Sequence, residues 1–418
     1  MNGSHWTHSP GQFFSHAMLK KLQTRPLRAM FLLTSMPIGG AETLLVNLVR
    51  RLDRSRVEPT IACMKQKDVL GEVLDREIPV FENLIRHKYD FEVAGRLKRL
   101  FRDQQIDALV TIGAGDKMFW GRLGARLAGV PVILSALHST GWPDGVGKLN
   151  RLLTGITDGF IAVARQHAEY QVNDEKFPQE KVFLIPNGID TEKFVFSQDS
   201  RDQWRDKTGI SRTAPVVGIV AALRPEKNHD LFLRAAKRVS VQVPSSKFVI
   251  AGDGPERERL ERLANELEIE DRVHFLGSVL DICGVLSMLD VFSLTSHNEA
   301  SPVSIMEALS CGRPVVATDV GSIDESVLEG QNGFLVPAGD QASLADRWVS
   351  LLQDAPSRTT FGLNGRQHIV ANSSLDSMTE GYMQLIENVY QEKCGLPLDD
   401  ESGFVSWNYQ ADQAALAR

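Results

Sequence analysis

The sequence has few cysteines and no feature that would carry it across a membrane. Its four cysteines, Cys63, Cys283, Cys311 and Cys394, stand far apart among 418 residues, without the close spacing of a zinc site or a redox couple. Scattered cysteines of this kind are expected to act as small apolar side chains in a reducing cytoplasm. The longest apolar runs have the length of a strand, so no membrane-spanning helix is predicted. Residues 1–25 lack a signal-peptide pattern and are predicted to form a flexible extension.

Three motifs of phosphate and acyl chemistry are also absent. The chain has no Asp-any-Asp triplet to hold a metal-bridged diphosphate, no Gly-Lys-Ser/Thr phosphate loop and no Gly-any-Ser-any-Gly elbow. These absences argue against P-loop nucleotide hydrolases and serine hydrolases. They also predict that a bound diphosphate is neutralised by side-chain cations and helix amides, with no metal and no other cofactor.

Composition and charge set the broad class of the protein. The chain is 43% hydrophobic and 24% charged, as is typical of a globular protein, and it is too long for one ordinary core. The first 194 residues carry 26 Lys and Arg against 21 Asp and Glu, whereas the remainder carries 20 against 32. A basic first half favours anionic membrane surfaces or phosphorylated acceptors, although unevenly charged solvated faces explain the pattern equally well.

Short β-rich runs alternate with amphipathic helical stretches in two successive series, which predicts βαβ units and two parallel sheets. A polar stretch separates the two series. Three further helical stretches, near 340–353, 356–371 and 375–393, end the regular pattern. The predicted division is an extension over 1–25, an N-terminal domain over 26–195, a linker over 196–213, a C-terminal domain over 214–374, a helix over 375–394 and a tail over 395–418.

The segment with the strongest chemical signal follows the predicted strand Val291–Thr295. Ser301 is a suitable N-cap and Pro302 a suitable first residue for a helix that begins there. Glu299 is expected in the loop before this helix and Glu307 within it, so that two carboxylates reach one ligand from different sides. A capped surface helix with two solvated glutamates is the alternative. The positions whose amides are expected to face a diphosphate are Pro302, Val303 and Ser304.

Three further segments leave a predicted strand at the edge where parallel sheets bind ligands. Arg224 and Lys227 could clamp a diphosphate, although solvated charges are the alternative. Gly39 and Gly40 open the first helix and let backbone amides approach a ligand, unless they only form a tight turn. His138 ends another strand and could contact sugar hydroxyls, although a histidine there is more often a packing residue.

Together these segments resemble the GT-B-fold retaining glycosyltransferases, specifically glycosyltransferase family four, from about residue 27 to residue 340. The resemblance implies an α/β fold in which two doubly wound parallel-sheet domains face a central cleft, with the last helix crossing back onto the first domain. The motifs that carry it are Gly39–Gly40–Ala41–Glu42, His138, Pro186–Asn187–Gly188–Ile189–Asp190, Phe194, Glu226–Lys227–Asn228, Gly252–Asp253–Gly254–Pro255, Glu299 through Gly312, and Pro314–Val315–Val316–Ala317–Thr318.

The resemblance also implies roles for individual residues. The position of Glu307 holds the donor ribose, that of Glu299 lies beside the donor sugar, and that of Lys227 binds the diphosphate. We therefore assign catalysis to Glu299 and His138. The implied reaction moves a sugar from a UDP- or GDP-sugar to a saccharide or lipid-linked acceptor in polysaccharide, lipopolysaccharide or glycolipid biosynthesis. No nucleic-acid partner is expected, and the implied location is the cytoplasm, with peripheral association at the inner face of the membrane as a further expectation.

Two positions depart from the family pattern. Ala221–Ala222 stands where the family usually has Gly-Arg, and Ile323–Asp324 replaces the common Ile-Pro. Arg224 is the nearest cation that could substitute for the missing arginine. Two other functions remain open from the sequence: a sugar-nucleotide epimerase on the same fold, and a nucleotide-sugar-binding module without turnover.

Overall fold

The computed structural model of the chain describes residues 25–87, 89–113, 115–137 and 151–395. The predicted extension, apart from Arg25, and the tail beyond Gly395 lie outside the described residues, as does His138. No helix in the described ranges is both long enough and apolar enough to cross a membrane.

The described residues form thirteen strands that alternate with thirteen α-helices. The strands are β1 (Leu27–Leu33), β2 (Val57–Cys63), β3 (Val80–Phe81), β4 (Ala108–Ile112), β5 (Val132–Ala136), β6 (Gly159–Ala162), β7 (Val182–Leu184), β8 (Val216–Val220), β9 (Lys247–Ala251), β10 (Val273–Gly277), β11 (Val291–Leu294), β12 (Val315–Thr318) and β13 (Gly333–Val336). The helices are α1 (Gly40–Arg51), α2 (Asp68–Leu74), α3 (Val93–Asp103), α4 (Asp116–Ala128), α5 (Arg165–Asn173), α6 (Gln198–Thr208), α7 (His229–Gln242), α8 (Arg257–Glu266), α9 (Ile282–Met288), α10 (Val303–Ser310), α11 (Gln341–Gln353), α12 (Ala355–Asn372) and α13 (Leu375–Cys394).

Both sheets are parallel and doubly wound. The first has the order β3-β2-β1-β4-β5-β6-β7, and the second has the order β10-β9-β8-β11-β12-β13. In the first sheet Leu27 of β1 is in register with Val57 of β2, and Ala29 is in register with Ala108 of β4. Near-continuous apolar strands such as β4 are buried on both faces, as parallel sheets require. The architecture confirms the predicted GT-B-type fold.

The last helix, α13, crosses back onto the first sheet, as expected. Its apolar side chains belong to the same core as β1, α1 and β2. Arg56 fixes the helix from outside, because its guanidinium donates to Glu387 at 2.6 Å and to Glu380 at 2.8 Å. The apolar residues that α13 contributes to this core are Leu375, Met378, Tyr382, Met383, Leu385, Ile386, Val389 and Tyr390.

The polar stretch that we predicted to be a linker over 196–213 contains a helix, α6. Ser197 caps its N-terminus by accepting from the Ser200 amide at 3.2 Å, and Gly209 ends it in the left-handed conformation. Arg205 in α6 is fully buried and donates to the carbonyl oxygens of Ala214 and Met288. The sequence pattern did not indicate this helix, because the side chain that anchors it in the interior is an arginine, a residue type that is almost always exposed to solvent.

The two strand orders determine where a ligand can bind. The order reverses between β1 and β4 in the first sheet and between β8 and β11 in the second. Ligands of open parallel sheets bind outside the carboxyl ends of the strands at such reversals. The loops that follow β1, β8 and β11 lead into Gly39–Gly40, into residues 221–228 and into residues 295–302. These are the segments to which the sequence assigned chemistry.

Candidate active site

The loops that follow β8 and β11 are joined by a partly buried ion pair. Lys227 Nζ lies 2.5 Å from Glu299 Oε1, and the Ser296 hydroxyl donates to the same oxygen at 2.6 Å. The Glu299 side chain is only 9% exposed, whereas that of Lys227 is 25% exposed. An ion pair with this little solvent around one partner is screened weakly, so removal of either charge leaves the other uncompensated.

Main-chain contacts hold this pair in place. Thr295 Oγ1 donates to the Lys227 carbonyl oxygen at 3.1 Å, and the His297 amide donates to the Glu226 carbonyl oxygen at 2.8 Å. On the other side of Glu299, Gly321 has a positive φ of 54°, and a Cβ at that position would lie 1.7 Å from the Glu299 carbonyl oxygen. The close approach requires glycine at 321, and the loop that carries Glu299 is therefore constrained on both sides.

Helix α10 begins one residue later than the sequence predicted. Pro302, not Ser301, is the N-cap, with extended backbone angles and no side-chain cap, and Val303 is the first helical residue. Pro302 also has no N–H, so it cannot supply one of the ligand-facing amides that we assigned to residues 302–304. The Ile305 amide donates to the Pro302 carbonyl oxygen at 3.1 Å. The Val303 and Ser304 amides have no acceptor within the helix and lie at the positive end of its dipole.

Glu307 lies inside α10 and is buried, with 8% of the residue exposed. Burial raises the pKa of Glu307 to about 8, while the nearby Lys193 ammonium lowers it and Cys283 raises it further. Its carboxyl group is therefore largely neutral at pH 7. A neutral carboxyl both donates and accepts hydrogen bonds, as a pair of ribose hydroxyls requires.

The N-terminus of α10 reaches the first domain. Helix α10 contacts α1, and Val303 packs against the cores of both sheets. Gly39 is the N-cap of α1, and Gly40 begins the helix with nothing within 4 Å of the position that a Cβ would occupy. The open space beside Gly40 leaves its backbone accessible. The structure thus brings Gly39, Gly40 and the start of α10 to the same part of the cleft.

A second contact crosses the cleft at helix α5. Its N-cap is Ala164, which has no capping side chain. Glu325 of the second domain takes this role, because its Oε1 accepts from the Arg165 amide at 2.8 Å and from the Gln166 amide at 3.3 Å. Asp324 accepts from the Gln166 side-chain amide at 3.1 Å. Desolvation raises the pKa of both carboxyl groups. Asp324, one of the two departures from the family pattern, therefore lies in an interdomain contact.

The structure places Arg224 apart from the Lys227–Glu299 pair. Its side chain is 61% exposed, with the Glu226 carboxylate 4.0 Å away, and it lines an open cavity of about 280 Å³ together with Arg259 and His297. Ala221 and Ala222 provide no cation at the position where the family has arginine. The described residues hold no group of three His, Cys, Asp or Glu side chains arranged for a metal ion.

Sequence reasoning missed four side chains around this site. Ser296 stands three residues before Glu299, but only the fold shows that its hydroxyl donates to the Glu299 carboxylate. Lys193 and Cys283 approach Glu307 from segments far away in the sequence, and Glu325 caps a helix of the other domain. None of these contacts follows from spacing along the chain.

Two family models match most of the chain. The model described as "Glycosyltransferase Family 4" matches residues 38–193, and the model described as "Glycosyl transferases group 1" matches residues 200–368. The boundary between them falls at the start of the segment that contains α6.

Among curated relatives, the UDP-Gal:alpha-D-GlcNAc-diphosphoundecaprenol alpha-1,3-galactosyltransferase of Escherichia coli is 27% identical over 372 residues, which cover 84% of this chain and 95% of that protein. The GDP-mannose-dependent alpha-(1-6)-phosphatidylinositol monomannoside mannosyltransferase of Mycolicibacterium smegmatis is 28% identical over 294 residues, 67% of this chain and 76% of that protein. Among solved structures, Anabaena HepE in complex with UDP-glucose superposes with a TM-score of 0.77 at 21% identity, covering 87% of this chain and all of that one. This likeness shows a shared fold.

Proposed function

Because the chain belongs to the GT-B-fold glycosyltransferases of family 4, the group 1 type, we propose that it is a retaining enzyme that needs no metal ion. It takes a nucleotide-sugar donor, which we place among the UDP- and GDP-sugars, and it transfers a hexose to a saccharide or a lipid-linked acceptor. The observation that carries the proposal is the partly buried Lys227–Glu299 pair beside the N-terminus of α10.

The donor diphosphate is proposed to bind between Lys227 and the first turn of α10. Lys227 supplies a mobile charge, and the Val303 and Ser304 amides supply the positive end of a helix. Charge that develops on the departing diphosphate is stabilised by groups already aimed at it, which supports a reaction without a metal ion. Arg224 is exposed enough to turn towards the diphosphate and add a second cation.

Glu299 is proposed to act on the sugar. When the diphosphate takes part of the charge of Lys227, the Glu299 carboxylate still keeps the Ser296 hydroxyl as a donor. It can then stabilise the positive charge that grows on the sugar ring as the bond to phosphate breaks. Retention of configuration is inferred from the resemblance to the family, and His138 is proposed to contact the hydroxyls of the transferred sugar.

Glu307 is proposed to hold the donor ribose. Its buried, largely neutral carboxyl can donate to one ribose hydroxyl and accept from another. The backbone at Gly39 and Gly40 approaches from the first domain, next to the start of α10. The nucleotide is therefore proposed to bind against the second sheet, and the acceptor against the first.

The acceptor is proposed to be a saccharide or a glycolipid. The E. coli relative is named for a diphosphoundecaprenol-linked acceptor and the M. smegmatis relative for a phosphatidylinositol monomannoside. The basic balance of residues 1–194 favours peripheral binding to an anionic cytoplasmic membrane surface. Sedimentation with anionic liposomes should decline with salt, whereas equal recovery in the supernatant with and without anionic lipid would remove the membrane part of this proposal.

The test of the proposed function uses the purified full chain with a panel of UDP- and GDP-sugars and with lipid-linked and free saccharide acceptors. We expect one donor to give a product whose anomeric configuration, read by NMR coupling constants, matches that of the donor. An inverted product would overturn retention. Binding of nucleotide-sugars without transfer or hydrolysis across the panel would instead favour a binding module.

A further inference from the structure

Two cysteines that are 28 positions apart in the sequence meet beside the proposed donor site. Cys283 is the second residue of α9, and Cys311 follows α10 at its C-cap. Their sulfur atoms lie 3.9 Å apart, and both thiols are free. Spacing along the sequence does not reveal this contact, although Cys311 lies in the apolar core of the second domain and Cys283 packs against that core, as expected of small apolar side chains.

The two thiols have different environments. Cys283 is half-buried and can be reached from solvent, whereas Cys311 is buried at 1% exposure. The hydrogen bond between the two thiols lowers the pKa of Cys283 to about 6, although burial opposes this effect. The carbonyl oxygens of Lys193 and Val195 each lie 3.3 Å from Cys283 Sγ. The same hydrogen bond and burial raise the pKa of Cys311.

This pair adjoins the buried carboxyl of α10. Cys311 follows Glu307 by four residues, which is about one helical turn, and its amide donates to the Glu307 carbonyl oxygen at 3.0 Å. Cys283 is close enough to raise the pKa of Glu307. A movement of either cysteine is therefore transmitted directly to the helix that carries Glu307 and the proposed diphosphate amides.

We propose that Cys283 and Cys311 are a peroxide-sensitive dithiol whose oxidation to a disulfide weakens nucleotide binding at α10. The accessible Cys283 thiolate attacks hydrogen peroxide, forms a sulfenic acid and releases hydroxide, which takes up a proton to become water. The Cys311 sulfur then attacks Cys283 Sγ, which forms the S–S bond and releases a second water. In total, two thiols and one peroxide give one disulfide and two waters.

The physical consequence follows from the change in distance between the sulfur atoms. A disulfide needs about 2.05 Å between them, so the 3.9 Å contact must shorten by roughly 2 Å. Rotation of the Cys283 side chain supplies part of this movement, and α9 and α10 supply the rest. Hydrogen bonds weaken steeply as their geometry departs from the optimum, so a displaced Glu307 should bind ribose less well. We expect the dissociation constant of a nucleoside diphosphate to rise by at least about three-fold. This increase corresponds to a modest part of the free energy that complete loss of a hydrogen bond would cost.

The experiment compares the reduced full chain with the same protein after stoichiometric hydrogen peroxide. Remaining thiols are alkylated, and peptides are mapped by mass spectrometry, while calorimetry measures the binding of UDP and GDP to both forms. We expect a Cys283–Cys311 peptide, weaker binding after oxidation, and full recovery of binding with dithiothreitol. No such peptide, or the peptide with unchanged nucleotide binding, would overturn the proposal.

Single substitutions separate the roles of the cysteines. Cys311→Ser should abolish the cross-link, leave a sulfenic acid at Cys283 that dimedone traps, and make nucleotide binding insensitive to peroxide. Cys394→Ser, which changes another half-buried cysteine, should respond like the wild type. The nucleotide part rests on the proposed function, but the cross-link does not. If the reduced protein bound neither nucleotide, the proposed function would fail, and the peptide map alone would support or overturn the dithiol.

Discussion

Lys227 Nζ lies 2.5 Å from Glu299 Oε1, across the two loops that leave β8 and β11. Without the opposite loop, the charge of Lys227 or of Glu299 would be unpaired and exposed to solvent. Together they form a partly buried pair in which Lys227 remains 25% exposed while the Ser296 hydroxyl donates to Glu299. The proposed chemistry depends on this pairing, because it joins the group that binds the leaving diphosphate to the group that faces the sugar.

The first prediction concerns the cation of this pair. Lys227→Ala should lower donor affinity by about 10- to 150-fold, since a hydrogen bond to a charged group contributes about 1.5–3 kcal/mol. Calorimetry with UDP and GDP measures the change. Lys237→Ala, which removes a partly exposed lysine from α7, is the matched control and should bind like the wild type. Equal affinity of Lys227→Ala and the control would mean that the diphosphate binds elsewhere.

The second prediction concerns pH. Burial raises the pKa of Glu307 to about 8 in the folded protein, above its ordinary value of 4.5. Because the folded state holds this proton more tightly, the contribution of Glu307 to stability is present below about pH 4.5 and is lost as pH rises through about 8. Relative to Glu307→Gln, which stays neutral, the ligand-free wild type should lose melting temperature between pH 6 and pH 9. At about 2–4 °C per kcal/mol, thermal scans of both proteins resolve the difference. Parallel curves would contradict the raised pKa.

The third prediction concerns metal ions. Excess chelator should leave transfer within a few-fold of the untreated rate, because Lys227 and the Val303 and Ser304 amides are available to neutralise the diphosphate. The measurement is the initial rate of sugar transfer before and after dialysis against chelator. Loss of activity that magnesium or manganese restores would contradict this part of the proposal.

The fourth prediction concerns the contact between the domains. Glu325 caps α5 of the other domain, and replacement of an N-cap by alanine costs about 0.5–2 kcal/mol. Glu325→Ala should therefore shift the balance between closed and open clefts by about 2- to 30-fold towards the open form. Energy transfer between dyes on the two domains measures this shift. The control is Glu329→Ala, because Glu329 pairs with Arg347 within the second domain. The same distances in both variants would show that the cap does not restrain the domains.

Much of this fold and part of the site could be predicted from the sequence, for identifiable reasons. Buried parallel strands appear as short apolar runs, so the sequence predicted that the loops containing Lys227 and Glu299 follow strands of the second sheet, and the structure has them there. The helical pattern near 375–393 likewise predicted α13, and the resemblance to the family implied that this helix packs on the first domain.

The remainder depends on contacts that sequence patterns do not encode. Arg205 is buried against carbonyl oxygens, although its type predicts solvation, and this concealed helix α6. Ser301 had the better capping side chain, but the chain enters α10 through Pro302. Cys283 and Cys311 meet only because α9 and α10 pack side by side, and Glu325 reaches α5 only because the two domains face each other.

The most direct test of the central claim compares Glu299→Gln with Glu307→Ala. Glu299 is proposed to act when positive charge develops on the sugar, so its loss should lower kcat by about 10²–10³ with little change in donor binding. Glu307 is proposed to bind ribose in the ground state and the transition state alike, so loss of two neutral hydrogen bonds, about 1–3 kcal/mol, should raise the donor KM by about 5- to 150-fold and leave kcat nearly unchanged.

The measurement is the steady-state kcat and donor KM of both variants, with melting temperatures to confirm that each variant is folded. The account predicts opposite patterns, a loss of kcat for Glu299→Gln and a rise in KM for Glu307→Ala. If both variants kept wild-type kcat and KM, the two glutamates would be ordinary structural residues, and the site proposed at the N-terminus of α10 would be wrong.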